Sequence, residues 1–209
     1  LDPLEIIDKY GLDPLRFYLL KEVSFGNDGN ISKEKLENCI NSDLANNFGN
    51  LCQRVVSFTE KNCNLIIGSE IIFQDEDNKL LAEYTDNYEK IINFVDKQDI
   101  NRYVNFTIER LFSANKYFND QEPWKKKSDL TRLNTIIYTS LELIRKASVL
   151  LYPIIPDTCL KVMKIFDYNI NNISFDTLKD NLYIKKGSRI NKIDILFKKI
   201  NKNDWLTLS

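Results

Sequence analysis

Asn50 and Arg54 stand four residues apart within the run DLANNFGNLCQR, residues 43–54. At helical pitch that spacing puts both side chains on one face. Asn carries a donor and an acceptor on one planar group, and Arg a rigid fork of donors. Together they can grip the Watson–Crick edge of an unpaired base. Asn46, one turn earlier, extends the same face. Trp124, set after Pro123 at an expected helix end, offers a flat face for base stacking, a contact worth about 1–3 kcal/mol. Lys125, Lys126 and Lys127 follow it and suit phosphate oxygens. Each feature also fits a plainer role. Asn and Arg at this spacing suit a solvated helix surface, Trp after a helix end suits a hydrophobic anchor, and a lysine run suits a solvated face.

Other chemistry is narrowed by what the sequence omits. Among its 209 residues there is no histidine, so imidazole bases, Ser–His–Asp and Cys–His arrangements and most zinc or haem sites fall away. The four cysteines, Cys39, Cys52, Cys63 and Cys159, form no C-x-x-C pair. They are expected to be reduced thiols in a cytoplasmic protein, with no metal bound. GNDGN, residues 26–30, lacks the spacing of a phosphate loop or a calcium loop. Asp75, Glu76 and Asp77 are expected in a solvated acidic loop. No catalytic residue, metal ligand or cofactor is expected in this chain. No apolar run reaches the roughly 18 residues of a membrane span.

Charge is distributed unevenly. Lys plus Arg number 29 against 30 Asp plus Glu, yet residues 1–100 carry 19 acids and 10 bases, and the remainder 11 acids and 19 bases. Eight bases face two acids over residues 179–202. A polyanionic partner must therefore use a local patch.

The elements that must position these residues read as helices. Asp13-Pro14 is expected to cap and open a short helix, followed by a turn over residues 25–30. Ser32 can cap a long helix in which Leu36, Ile40, Leu44, Phe48, Leu51, Val55 and Phe58 recur at three- and four-residue steps. Past Gly68 a single helix is expected from Leu80 to Val95, and Asp99 caps another to Phe118. Residues 120–129 interrupt. Ser128 or Asp129 then restarts a helix that Pro153 and Pro156 stop, and Pro156-Asp157-Thr158 opens the next. Helices of this length with short links predict a mainly α, antiparallel bundle. Ile193, Ile195 and Phe197 alternate, predicting a short strand near the end.

Four segments in order resemble methionyl-tRNA synthetases: residues 2–32 with 43–54, NKYFNDQEPW (115–124), YPIIPDTC (152–159) and IDILFKKI (193–200). The resemblance runs over nearly the whole chain. It implies a stem-contact segment (residues 1–31) that follows a KMSKS loop outside the chain, then an anticodon-binding helical bundle of the class I synthetase type (32–168). A C-terminal extension (169–209) packs back on the bundle. It implies that Asn50, Arg54 and Trp124 recognise the first anticodon base, C of CAU, with Asn46 a weaker candidate beside them. The partners implied are the anticodon loop of methionine tRNA and a catalytic domain of the same polypeptide, not DNA. ATP and Mg²⁺ would serve that domain, because a HIGH motif cannot exist without histidine and no KMSKS is present. The closing segment has Lys198-Lys199 where Pro-Arg is usual. Sister synthetases for valine, isoleucine, leucine or cysteine share the bundle, and a non-enzymatic helical interaction module is the alternative from another class.

Overall fold

A computed structural model describes residues 2–23 and 32–201 of the chain. The turn expected at residues 25–30 lies outside them. The described residues are helical with no strand.

The N-terminal pair differs from expectation. Asp2 caps α1 (Pro3–Tyr10), its Oδ1 accepting from Leu4 N at 2.8 Å. Gly11, at φ 91°, makes the sharp turn into α2 (Leu12–Glu22). Asp13 therefore sits inside α2 and caps nothing there. Its Oδ2 instead accepts the Thr158 N–H at 2.7 Å, in the first turn of α9 (Pro156–Met163). Arg16 adds a second tie, donating to the Ile154 and Pro153 carbonyls at 2.8 and 3.0 Å.

Ser32 caps α3 (Lys33–Asn38) through its hydroxyl, as its position predicts. The helix then runs without a break through a π-helical stretch (Cys39–Gly49) into α4 (Asn50–Cys63). Leu36, Ile40, Leu44, Phe48, Leu51 and Val55 are all buried. The opening steps of this stripe are uniformly four residues, longer than the 3.6-residue α turn. The wider i→i+5 winding keeps them on one side.

The single helix expected from Leu80 to Val95 is two: α5 (Asp75–Thr85) and α6 (Tyr88–Asp96). Thr85 Oγ1 donates to the Ala82 carbonyl at 3.1 Å and Asn87 Nδ2 to that of Glu83 at 2.9 Å. The Ala82 carbonyl is shared with the Asp86 N–H, whereas the Asn87 side chain takes the Glu83 carbonyl that a continuing helix would use. α7 (Ile100–Asp120) and α8 (Leu130–Leu151) complete the bundle. Asp129 caps α8, accepting from Arg132 N at 3.0 Å.

α8 is the central helix, buried almost throughout and packed against α4, α5, α7 and α9. Its buried residues include Glu142, Arg145 and Lys146. Arg145 Nε donates to Glu142 Oε2 at 2.7 Å, its Nη2 donates to the carbonyls of Thr177 and Asp180 at 3.1 and 2.9 Å, and its Nη1 donates to Thr177 Oγ1 at 3.3 Å. Glu142 Oε1 accepts the Ile184 N–H at 2.6 Å, and Lys146 donates to the Leu178 carbonyl. Burial lowers the Lys146 pKa to about 7. The backbone of residues 177–184 thus satisfies charges that would otherwise be stranded in the core.

After α9 the chain makes short 3₁₀ turns and then runs extended. Ile190 N donates to the Leu65 carbonyl and Ile67 N to that of Ser188, forming one isolated bridge between Ile66 and Arg189. The strand expected around Ile193, Ile195 and Phe197 is absent from the described residues. Side chains of the long helix take the backbone groups a sheet would use. Gln53 Nε2 donates to the Ile193 carbonyl at 3.0 Å, and Asn41 exchanges two 2.9 Å bonds with the backbone of Ile200. Phe197 packs on Gly49, where a Cβ would come within 3.2 Å of its ring, while Ile195 is 83% exposed. With Lys198 and Lys199 both exposed, the replacement of Pro-Arg leaves Phe197 and Ile200 buried.

Candidate nucleic-acid interface

The π-to-α junction falls between Gly49 and Asn50, at the start of the candidate face. Asn46 and Asn50 are both exposed and line one cleft of about 180 Å³, whose other wall is residues 195–197 and Lys199. Arg54 lies one turn further along α4 and turns toward α7. Its guanidinium sits 5.4 Å from the centre of the Phe118 ring, and Nη2 donates to Asn119 Oδ1 at 3.4 Å. Phe118 in turn meets Phe58 edge-on at 5.9 Å. The fork of Arg54 is thus oriented from below by an aromatic ring and from one side by an amide.

Trp124 follows this pair closely in sequence, within a 3₁₀ turn (Pro123–Lys125). The turn begins at Glu122, held in the left-handed region at φ 45°, and is seated by buried Pro123. Trp124 itself is 41% exposed. That disfavours the anchor role, which would bury the ring, and leaves a face available for stacking. Lys125 pairs with Glu122 at 2.8 Å, whereas exposed Lys126 and Lys127 have no ion-pair partner among the described residues.

A buried polar brace supports the turn. Arg132, at the start of α8, forms a two-point ion pair with Asp77 and donates to Gln121 Oε1 at 2.7 Å. The Tyr117 hydroxyl donates to the same Asp77, whose Oδ2 also accepts Gln74 N at 2.8 Å. Asp77 is therefore fully buried at the N-terminus of α5, which corrects the expectation of a solvated acidic loop. Local sequence could not show this, because the compensating charge comes from 55 residues away. A second link, Asn115 Nδ2 to Asn47 Oδ1 at 2.8 Å, ties α7 to the π-helical stretch. Sequence reasoning passed over Asn47, Phe118 and Asn119. The four asparagines in NKYFND and ANN were the available signal, since buried amides commonly cross-link helices.

Exposed amides at Asn46 and Asn50, the half-buried Arg54 guanidinium and the exposed Trp124 indole are groups of the kinds that can hold unpaired RNA bases. Residues 69–207 match the family described as the anticodon binding domain of methionyl tRNA ligase. Residues 1–56 match class I tRNA synthetases of the methionine type. Methionine–tRNA ligase of Thermotoga maritima is 31% identical over 207 residues, 98% of this chain and 33% of that protein. The Brucella suis enzyme is 36% identical over 166 residues, 79% of this chain and 32% of that protein. The apo form of Mycobacterium tuberculosis methionyl-tRNA synthetase superposes with a TM-score of 0.89 at 30% identity, over 96% of this chain and 41% of that one. The same enzyme in complex with methionyl-adenylate gives 0.87 at 31% identity, over 94% and 39%. The chain belongs to the methionyl-tRNA synthetase family and contains its anticodon-binding domain. It spans about a third of the length of the curated relatives it matches.

Proposed function

We propose that this chain reads the CAU anticodon of methionine tRNA for a methionine–tRNA ligase. One observation carries the reading: Arg54 is oriented by Phe118 and Asn119, immediately before an exposed Trp124 on a braced turn. The first anticodon base, cytosine, stacks on Trp124 while Asn50 and Arg54 bond its Watson–Crick edge. Asn46 borders the same cleft as Asn50 and contributes more weakly. Lys125, Lys126 and Lys127 meet the flanking phosphates. A wrong base leaves Asn50 or Arg54 unpaired in a partly desolvated pocket, and that penalty sets the discrimination.

Residues 1–31 act as the stem-contact segment, 32–168 as the reading bundle and 169–209 as the extension held against it. Methionine activation with ATP and Mg²⁺ belongs to a catalytic domain of the same polypeptide, and the work is cytoplasmic. The decisive experiment compares the affinity for anticodon stem-loops carrying CAU and a mutated first base at fixed salt. Preference for CAU supports the reading; equal affinities would falsify it.

A further inference from the structure

A second cleft, of about 300 Å³, is lined by another part of the C-terminal segment. Lys161 of α9, Lys164 of the turn that follows it, and Lys192 line it together with residues 193–196. All three lysines are exposed. Lys192 pairs with Glu60. Lys161 and Lys164 have no ion-pair partner among the described residues, and Asp194 is the single acid in the lining. The cleft thus keeps a net positive charge, carried by Lys161 and Lys164.

The cleft is held open by backbone ties and does not depend on the lysines themselves. Asn191 N donates to the Ile165 carbonyl at 2.9 Å, and its Nδ2 donates to the Lys164 carbonyl and to Asp167 Oδ1, both at 2.8 Å. Gln53 fixes the far side through the Ile193 carbonyl. Ile195 and Leu196 belong to both clefts, so the lysine cleft adjoins the one lined by Asn46 and Asn50. A strand crossing Ile195 can present a base to one cleft and its backbone to the other.

We infer that Lys161, Lys164 and Lys192 form a phosphodiester-binding cleft for the RNA whose anticodon the bundle reads. The inference rests on the anticodon reading for the identity of the RNA, but uses none of its base-contacting residues. Uncompensated lysines bind phosphates by counterion release, which is independent of base sequence and dependent on salt.

The test is Lys161→Glu with Lys164→Glu, in the complete polypeptide, titrated with the CAU stem-loop and its first-base variant across a salt series. Both lysines are exposed and have no ion-pair partner among the described residues, so the melting temperature should stay within about 2 °C, the scale of a surface change. The affinity should fall at least tenfold at low salt for both hairpins. The slope of log affinity against log salt should become shallower by roughly 1–2, as expected for two lost phosphate contacts. The ratio between the two hairpins should not change. A slope and affinity equal to the parent's overturn the inference. So does displacement of a polyglutamate peptide from the parent with no change in the RNA slope, which would assign the cleft to an acidic protein partner. If the parent itself does not distinguish the hairpins, the anticodon reading fails, and the slope still decides the cleft.

Discussion

Arg54 Nη2 donates to Asn119 Oδ1 across 65 residues of sequence, joining α4 to the end of α7. The bond is long, at 3.4 Å, and exposed, so it orients the guanidinium without consuming its donor capacity. The free edge of the fork remains available to a ligand.

Replacing Arg54 by Lys keeps the charge and loses the planar fork. The expected result is a 10- to 100-fold loss of preference for C over U at the first anticodon position, matching the roughly 1–3 kcal/mol of an unpaired polar group. Paired binding titrations with the two stem-loops measure it. Asn119→Ala should lower the preference in the same direction but less than Arg54→Lys, because it only orients Arg54.

Trp124→Ala should weaken binding of both hairpins by about 1–3 kcal/mol, while Trp124→Phe keeps most of the stacking. Fluorescence quenching of the parent on RNA addition should disappear in both variants if Trp124 is the reporting indole. Persistent quenching in Trp124→Phe would assign the signal elsewhere.

Arg132→Met leaves Asp77 buried with its countercharge gone and should cost about 3–5 kcal/mol. The urea midpoint, followed by far-UV circular dichroism, reports it. Adding Asp77→Leu should recover much of the loss, since an apolar pair replaces an ion pair more readily than half a pair survives alone.

Lys146 sets a pH dependence. Burial lowers its pKa to about 7 in the folded chain, against roughly 10.4 when exposed. Between these values the unfolded chain holds a proton that the folded chain lacks, so stability rises with pH, by at most about 1.4 kcal/mol per unit. Burial raises the pKa of all four thiols in the fold. Above about pH 8.5 the unfolded thiols lose protons that the folded ones keep, and stability falls. Thermal melts should therefore peak near pH 8–9, and Lys146→Met should abolish the rise between pH 7 and 8.5.

The bundle was legible where burial follows local periodicity. The stripe from Leu36 to Val55 and the start of α8 at Asp129 follow from spacing and capping alone. What local pattern misread was set by distant partners. Asp13 looks like an N-cap but serves a helix 145 residues away. The burial of Glu142, Arg145 and Lys146 has no local sign, because their partners include backbone groups of residues 177–184. Alternation at Ile193, Ile195 and Phe197 reads as a strand, yet Asn41 and Gln53 of the long helix occupy the ladder. For the site, residue types and spacing put Asn50 and Arg54 on one helix, while the support from Phe118, Asn119 and the Asp77–Arg132 brace required the fold.

The ion pair and lysine on α8 have one more implication. Because most of their hydrogen-bond partners are main-chain atoms, they recognise the path of residues 177–184 more than its side chains, Thr177 and Tyr183 excepted. Toward α8 the tail behaves as a tethered peptide lodged in a receptor groove. A nick in the solvent-exposed stretch between α9 and that groove need not release it, and the two pieces should remain associated as a split protein.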